Sequence, residues 1–488
     1  MAIALLGLCP NIVISTAFLP VGSLAAHDLA TTPSLLKLAE AMSNAGYAFG
    51  AVAAAQLAQR FVQRRLFLVY EAAFIIGSVL AAASPGIGLF FAGRVLQGTA
   101  TGFMLISALP PLVTRFGVAR LPVTVVIVNI GLFGATAAGP LLGGLAAQTG
   151  DWRAMLAIAG GLGLLGLVAA VLGYPRFQPP APDLPVDRGA LFLAAAATVL
   201  PFFATVTLAD GGFASPIFWI TFALGLVALV ALIVLEYRKR TPLMPVEALS
   251  TQLPVTGSVV AMVAGAAFVT VVELVQTYAA RATRASPLET GLLFWPMPVG
   301  LLVAAVLFGL LFRSRYVPLL IDTGLVGLGG GALLLANAAL SGPGAISGPG
   351  AFLLGFGAGA TVSPGLFLAA FGVPAELLGR AFALIELLRS EAAYAVTPLV
   401  LTLATATAHP AGGLRAGLLA MGGLSAFGLV LALSIPALSG ARLRRPDLEG
   451  WLDGGRQALP SPVTGVHVRP GAHDDTAEAL LPRRGPKR

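Results

Sequence analysis

Charged residues are scarce in this sequence. Of its 488 residues, 10% are Asp, Glu, Lys or Arg, whereas 57% are hydrophobic. A soluble domain of this length needs more charge to cover its surface, so a soluble globular protein is excluded. Apolar stretches of about 18 to 25 residues recur along the chain, and each can cross a hydrocarbon core of about 30 Å. Because these stretches are continuous rather than alternating, they predict membrane-spanning helices and exclude a membrane β-barrel.

Cysteine and histidine are also nearly absent. Cys9 is the only cysteine, which excludes an intramolecular disulfide and a thiolate zinc cluster. The four histidines lie in predicted loops or near the C-terminus, without the spacing of metal ligands. The sequence contains neither a serine-nucleophile motif nor a phosphate-binding loop. We therefore expect no enzyme activity, no cofactor and no bound metal.

Fourteen membrane spans are predicted from the apolar stretches. Six lie within residues 1–173, two within a connector at 174–252 and six within residues 253–437. The N-terminal stretch counts as a span because it lacks a basic leader and is too long for a signal peptide. Residues 438–488 are rich in Pro, Gly and Arg, and predict a disordered tail. The expected fold class is an all-α polytopic membrane protein, with two six-helix bundles in a pseudo-twofold arrangement and two additional central spans.

Positive charges are distributed unevenly between the predicted loops. Lysines and arginines cluster in alternate loops, and the loops between these carry one or two at most. By the positive-inside rule, this bias predicts a cell-membrane protein with both termini in the cytoplasm, most simply in a bacterial plasma membrane. The net charge of +8 is therefore interpreted as a topology signal and not as a nucleic-acid-binding surface.

The two predicted six-span units share features of sequence. Glu71 follows Arg65 by six residues in the third span, and Asp322 follows Arg315 by seven residues in the eleventh span. Two repeated units of six spans are a layout typical of secondary transporters. We expect Glu71 and Asp322 to pair with arginines of neighbouring loops rather than to contact a substrate.

Small residues form a stripe in the predicted fifth span, "GLFGATAAGPLLGGL" (131–145). The small residues and the proline of this stretch are Gly131, Ala135, Gly139, Pro140, Gly143 and Gly144. A four-residue repeat of small side chains forms one smooth helix face, and such a face lets a neighbouring helix approach closely in lipid. The stripe predicts either a sliding contact that controls gating or ordinary helix packing.

Two motifs in the predicted fourth and fifth spans resemble those of the major facilitator superfamily, in particular its fourteen-span branch of drug:proton antiporters. Arg94, Gln97 and Gly98 match the span-four motif R-x-x-Q-G. The fifth span is similar to the antiporter motif G-x-x-x-G-P-x-x-G-G, with Ala135 in place of its first glycine. The resemblance covers residues 1–437 but not the tail.

A third motif, "AQLAQRFVQRRLFL" (55–68), resembles the loop that follows the second span in this family. Arg60 and Arg64 match that motif, whereas Gln59 stands where the family has an aspartate. The acidic residue of the family's first span is missing too, and Asn11 lies at about that position. Both departures remove negative charge from positions that the family uses for coupling or gating.

The resemblance implies a secondary active transporter that works by alternating access, most simply a proton-coupled exporter of amphipathic organic compounds. It implies that Arg94 assists proton transfer, that Arg60 and Arg64 form a cytoplasmic gating loop, and that the span-five stripe packs against a helix of the opposite half. The expected partners are a small-molecule substrate, protons and the lipid bilayer; a monomer is compatible with the sequence. Two alternatives stay open: an uncoupled or differently coupled transporter of a specific metabolite, and a non-transporting receptor or scaffold.

Ionisable side chains inside spans are costly to bury and are candidate proton or substrate sites. Five such residues are selected: Arg94, Glu273, Glu386, Arg389 and Glu391. Glu386 and Arg389 share a helix face and can pair. Glu391 lies near mid-membrane without a partner on its own helix, so it either carries a proton or pairs with Arg94 across the cavity.

Lys37 and Glu40 lie at the predicted outer mouth of the second span, three residues apart. This spacing puts both side chains on one helix face. We expect the two to form a solvated salt bridge.

Overall fold

The computed structural model describes residues 1–175, 181–239, 241–282, 285–341, 348–407, 409–439, 445–454 and 456–462. Within these ranges the chain is helical and forms no strands. The first six helices are α1 (Ala2–Asp28), α2 (Pro33–Arg60), α3 (Gln63–Ala82), α4 (Ile87–Arg115), α5 (Gly117–Thr149) and α6 (Trp152–Gly173). Two further long helices follow, α7 (Arg188–Gly211) and α8 (Pro216–Arg238).

The rest of the described chain contains nine more α-helices. They are α9 (Val246–Leu249), α10 (Gln252–Ala282), α11 (Pro287–Leu292), α12 (Pro296–Leu311), α13 (Val317–Ser341), α14 (Pro349–Phe371), α15 (Leu378–Thr405), α16 (Pro410–Ser439) and α17 (Leu448–Leu452). Side-chain caps begin several helices of the protein. Thr32 accepts from the Leu35 amide at the start of α2, and Ser286 and Glu289 form a reciprocal capping box at α11.

Twelve helical segments of the described chain are long and apolar enough to cross a membrane, with α11 and α12 together forming one of them. Two other helices, α2 and α15, are 28 residues long but fall short in apolar character. Polar side chains account for this: α2 carries Ser43, Asn44 and Gln56 besides Lys37 and Glu40, and α15 carries Glu386, Arg389 and Glu391. The fourteen spans expected from the sequence are therefore confirmed only as far as twelve.

Equivalent helices of α1–α6 and α10–α16 pack in equivalent ways. In the first set, α1 packs against α5 and α6, α2 against α4, and α3 against α4 and α6. In the second set, α10 packs against α15 and α16, α12 against α14, and α13 against α14 and α16. The two sets meet at two junctions, where α2 contacts α15 and α5 contacts both α11 and α12. Helix α7 packs against α2 and α15 at the first junction.

Residues 445–454 and 456–462, here called the C-terminal strap, fold back onto the helix bundle. The Trp451 side chain is fully buried, and its Nε1 donates to the Val373 carbonyl oxygen at 2.9 Å. The Leu459 amide donates to the Phe371 carbonyl oxygen at 3.1 Å, and the Gln252 amide donates to that of Pro462 at 3.0 Å. The expectation of disorder after residue 437 is therefore wrong for the strap; residues 463–488 lie outside the described chain.

Candidate functional site

Arg94 of α4 is the centre of a buried polar network. Its guanidinium is fully buried, and Nε and Nη2 donate to the two carboxylate oxygens of Glu40 on α2 at 2.7 and 2.6 Å. Its Nη1 donates to Gln97 Oε1 at 2.6 Å and to Asn11 Oδ1 on α1 at 3.3 Å. Gln97 Nε2 in turn donates to Ser78 Oγ on α3 at 2.7 Å. We call these five residues the Arg94 network.

Glu40 is the only carboxylate of the Arg94 network. It binds the guanidinium through both oxygens, the geometry that makes Arg–carboxylate pairs strong and directional. Its side chain remains 17% exposed, whereas the Arg94 side chain has no exposure. The predicted salt bridge between Lys37 and Glu40 is wrong, because the desolvated guanidinium competes better for the carboxylate than the exposed Lys37 ammonium does.

Asn11 occupies the α1 position where the resemblance predicts an acid. Its side-chain oxygen accepts from Arg94, so the α1 position does contact the guanidinium, but without a charge. The negative charge comes from α2 instead, through Glu40. The counter-ion of Arg94 therefore lies on α2, and α1 contributes a neutral oxygen.

A second ion pair lies on α15. Arg389 Nε donates to Glu386 Oε2 at 3.0 Å, and Arg389 Nη2 donates to Glu386 Oε1. This confirms the pair predicted from the i, i+3 spacing. The Tyr47 hydroxyl of α2 also donates to Glu386 Oε1, at 2.9 Å. Because α2 and α15 belong to different helix sets, this hydrogen bond joins the two sets near their charged residues.

Glu391 lies on α15 beyond this ion pair. Its side chain is 8% exposed, and Oε1 has no hydrogen-bond partner in the described part of the chain. The alternative pairing with Arg94 is not found, because Arg94 binds Glu40. Glu391 is thus a buried carboxyl with no ion pair among the described residues.

Glu273 of α10 is half-buried near the first helix set. The ammonium of Lys37 on α2 attracts it electrostatically across the two sets. The Tyr394 ring of α15 lies beside the Phe202 ring of α7, with centroids 4.2 Å apart. The charges of Glu273 and Glu40 act on the Tyr394 hydroxyl. Glu273 and the Tyr394 hydroxyl therefore lie within electrostatic range of α2 residues at the junction of α2 with α15.

The small-residue stripe of α5 packs mainly against α1. A Cβ added at Gly139 would overlap Thr16 Oγ1, and one added at Gly143 would overlap the Ala17 carbonyl oxygen. The expectation that the stripe faces the opposite half is therefore wrong for these glycines. The close approach to the opposite set comes from adjoining residues, since Gly144 contacts the Pro287 carbonyl of α11.

Pro140 completes this contact with α11. A Cβ added at Gly291 would lie 2.7 Å from the Pro140 carbonyl oxygen. On the rest of the stripe, a Cβ added at Gly131 would overlap Leu5 of α1, and Ala135 is buried. One helix thus presents glycine faces to a partner in its own set and to a partner in the other set.

The two arginines of the loop motif bind within their own helix set. Arg64 Nη2 donates to the Val171 carbonyl oxygen of α6 at 2.6 Å, and the Arg60 guanidinium lies 5.8 Å from the centre of the Phe61 ring. A contact between the sets comes from an arginine that the sequence analysis did not select. Arg313, just after α12, donates from Nη2 to the Val118 carbonyl oxygen of α5 at 2.5 Å.

Glu71 and Asp322 do not form the ion pairs expected for them. Glu71 is fully buried, and both of its carboxyl oxygens lack hydrogen-bond partners in the described chain. Asp322 forms no salt bridge with any described residue; it lines a cavity between α10, α13, α14 and α16. Arg315 lines the same cavity but donates to the Tyr316 hydroxyl.

Buried ion pairs beside the junction of two helix sets, within a bundle of bilayer-length helices, are typical of secondary transporters. The fold and site thus define a polytopic membrane transporter. The chain belongs to the Major Facilitator Superfamily, whose family profile matches residues 4–398.

Similar curated proteins come from bacteria and are named as transporters or resistance proteins. "Uncharacterized MFS-type transporter YubD" of Bacillus subtilis is 29% identical over 339 residues, 68% of this chain and 64% of that protein. "Multidrug resistance protein B homolog" of Mycobacterium tuberculosis is 27% identical over 285 residues, 58% and 51% of the two chains. "Tetracenomycin C resistance and export protein" of Streptomyces glaucescens is 29% identical over 298 residues, which are 61% of this chain and 53% of that protein. The matched region spans about half to two thirds of these relatives.

Solved structures show the same fold at low sequence identity. The human organic anion transporter MFSD10 (TETRAN) is 14% identical with a TM-score of 0.62, covering 88% of this chain and 98% of that one. A POT family transporter solved with a thioalcohol-conjugated peptide is 14% identical with a TM-score of 0.63, covering 90% and 95%. At this identity the likeness is one of fold alone.

Proposed function

We propose that the protein is a proton-coupled exporter of amphipathic organic compounds that works by alternating access. The bidentate pair of Arg94 and Glu40 carries this proposal, because it places one titratable carboxylate on a buried cation. The resistance and export functions named for two of the bacterial relatives support the direction of transport and the substrate class.

The coupling step follows from the unequal exposure of the two partners. A proton reaches Glu40 from its exposed side, and protonation removes the charge that compensates Arg94. The buried guanidinium then keeps only the neutral oxygens of Asn11 and Gln97. A buried cation without a counter-ion costs about 3 to 5 kcal/mol, enough to favour a different arrangement of α1, α2 and α4. Proton binding and helix rearrangement are thereby linked.

The missing acid of the first span does not argue against proton coupling. Asn11 contacts the same guanidinium that an acid at this position would bind, and Glu40 supplies the charge from the adjacent helix. Glu273 and Glu391 are further candidates for proton or substrate contact, because Glu273 interacts electrostatically with Lys37 of the other set and Glu391 is a buried carboxyl of α15. Glu391 in particular has no cation to neutralise it among the described residues.

Alternating access requires contacts between the two helix sets that break and reform. Among the described residues, three side-chain hydrogen bonds cross the sets: Tyr47 to Glu386, Asn129 Nδ2 to the Gly359 carbonyl, and Arg313 to the Val118 carbonyl. The Asn129 and Arg313 bonds join mainly apolar helices, whereas the Tyr47 bond lies at the Glu386–Arg389 ion pair. Opening toward either side of the membrane therefore breaks few polar contacts.

The topology we propose has fourteen spans, with α2 and α15 added to the twelve apolar ones. Their charged side chains are covered by neighbouring helices, since α2 packs against α4, α7 and α15, and α15 packs against α10. Polar helices cross a bilayer when such neighbours shield them. Both termini then lie in the cytoplasm of a bacterial cell, as the distribution of arginines indicates. A monomer satisfies this arrangement.

The experiment that tests this function is pH-driven transport by purified protein in liposomes. The probe is ethidium, a fluorescent organic cation, and its accumulation is followed with an imposed pH gradient and after a protonophore collapses it. Wild type should accumulate the dye only with the gradient, Glu40→Gln should lose this response, and Lys37→Gln, on the same helix, should keep it.

Each alternative gives a different result. A protein that moves the dye equally with and without the gradient is an uncoupled or differently coupled transporter. A protein that moves neither ethidium nor a panel of other amphipathic dyes under any gradient is a receptor or scaffold. Unchanged coupling in Glu40→Gln would contradict the role given to the Arg94 pair.

A further inference from the structure

Glu71 occupies a closed site between α1, α3, α4 and α6, outside the Arg94 network. Its side chain has no exposure, and both carboxyl oxygens lack hydrogen-bond partners in the described chain. A Cβ added at Gly7 of α1 would lie 2.6 Å from Oε2, and one added at Gly166 of α6 would lie 2.6 Å from Oε1. Met104 of α4 lies beside the same Gly7 position. The two glycines leave just the room that a carboxyl group needs.

A carboxylate cannot remain ionised in such a site. Burying a charge without a partner costs many kcal/mol, and a carboxyl group instead keeps its proton. Other ionisable side chains on the helices that pack around it bond elsewhere: Cys9 to the Gly131 carbonyl, Arg94 to Glu40, Arg153 to the Ala82 carbonyl, Arg64 to the Val171 carbonyl, and His27 to Asp28. On α3 itself, Tyr70 stacks on Phe103, and Arg65 is exposed at the helix start. The structure therefore holds Glu71 as a neutral acid, with the proton as its ligand.

The site is connected to the Arg94 network through two helices. On α1, Gly7 and Asn11 are one helical turn apart, so the helix that closes over Glu71 also contacts Arg94. On α3, Ser78 is the end of the network and lies seven residues beyond Glu71, about 10 Å along the helix axis. Glu71 thus lies between the network and the start of α3, which is the cytoplasmic end in the proposed topology.

We propose that Glu71 is a second proton-binding site, placed on the cytoplasmic side of the Arg94–Glu40 pair. This inference rests on the proposed proton-coupled function. Any movement of α1 that changes the contact between Asn11 and Arg94 also moves Gly7 away from the Glu71 carboxyl. Water then reaches the acid, and the proton leaves toward the cytoplasm. When α1 returns, the carboxylate takes up a proton that arrives from the side of the Arg94–Glu40 pair, and the glycine contacts close over the neutral form again.

Infrared difference spectroscopy of the full-length protein in liposomes tests the site directly. A protonated carboxyl group gives a C=O stretching band that an ionised carboxylate lacks. We expect one such band to be lost in Glu71→Gln and kept in Asp322→Asn, the matched acid of the second helix set. In wild type, this band should lose intensity on addition of ethidium and at alkaline pH.

Two results would overturn the proposal. If the wild-type spectrum shows no band that Glu71→Gln removes, the residue is not protonated in this site. If the band stays constant at every pH and with ethidium, Glu71 is a structural acid that never releases its proton. Should Glu71→Gln fold poorly, Gly166→Ala provides the test, because its Cβ crowds Oε1 and should shift the same band.

The proposed function can fail independently of this site. If Glu40→Gln keeps full pH-driven transport while the Glu71 band still responds to ethidium, the Arg94–Glu40 pair is not the coupling site but the second proton site stands. If transport depends on Glu40 and the band never changes, the second site is refuted alone.

Discussion

Moving the negative charge of the Arg94 network from α2 to α1 is a direct test of its arrangement. Glu40→Gln keeps the side-chain shape but leaves the buried guanidinium unpaired, at a cost of about 3 to 5 kcal/mol. Asn11→Asp then places a carboxylate where Asn11 Oδ1 already accepts from Arg94 Nη1 at 3.3 Å. A hydrogen bond to a charged group contributes about 1.5 to 3 kcal/mol. The double variant should therefore regain roughly half of the lost stability.

The assay combines thermal unfolding in detergent with pH-driven ethidium transport in liposomes. We expect Glu40→Gln to unfold at lower temperature and to lose coupling, and Glu40→Gln with Asn11→Asp to recover part of both. The control adds Asn44→Asp to Glu40→Gln, since Asn44 bonds the Glu40 carbonyl at 3.0 Å rather than the guanidinium. A double variant with Asn11→Asp that performs no better than this control would refute the charge-pair reasoning.

Three further predictions concern other contacts of the site. Gly139→Leu should abolish transport because the leucine side chain overlaps α1. Gly134→Leu should transport normally, because the atom nearest to a Cβ added at Gly134 lies 3.8 Å away. Dye efflux corrected for folded yield measures both variants. Tyr47→Phe removes the hydrogen bond to Glu386 between the helix sets, which contributes about 1.5 to 3 kcal/mol. This variant should change the transport rate without abolishing coupling. An unchanged rate would contradict a gating role for the bond. Glu391→Gln should stop pH-driven accumulation of ethidium but preserve dye exchange; normal accumulation would remove Glu391 from the proton path.

The local parts of the site could be predicted from the sequence. Glu386 and Arg389 pair as expected because both residues lie on one helix face, and their contact depends only on helical geometry. Arg94 was selected because an arginine in a span is costly, and it lies in a buried network. Both predictions needed no knowledge of how helices pack.

The partners of isolated charges could not be predicted in this way. Glu40 binds Arg94 across 54 residues of sequence, whereas the nearby Lys37 offered a local partner that the fold does not use. Glu71 likewise has no hydrogen-bond partner among the described residues, although Arg64 and Arg65 lie close to it in sequence. Tertiary packing decides which charge loses its water, and hydropathy patterns do not contain that information.

In the stripe of α5, the periodicity of small residues predicts a close helix contact but not which helix makes it. The four-residue repeat correctly indicates a close helix contact, but a smooth face fits any helix that lies against it. Only the structure shows that Gly139 and Gly143 approach α1 while Gly144 approaches α11. The sequence does not predict the ordered strap, because Leu448 and Trp451 form a single apolar turn that is too short to be recognised among proline and glycine residues.

The C-terminal strap has a consequence for how the protein is made. The carbonyl of Val373, at the end of α14, receives its bond from Trp451, which is synthesised 78 residues later. At the start of α10, the Leu253 amide likewise donates to the hydroxyl of Ser461 at 2.9 Å, and Ser461 is also synthesised later. Every membrane span must therefore be inserted before these helix ends are capped. Closure of this face of the bundle therefore follows the synthesis of all the described spans, from α1 to α16.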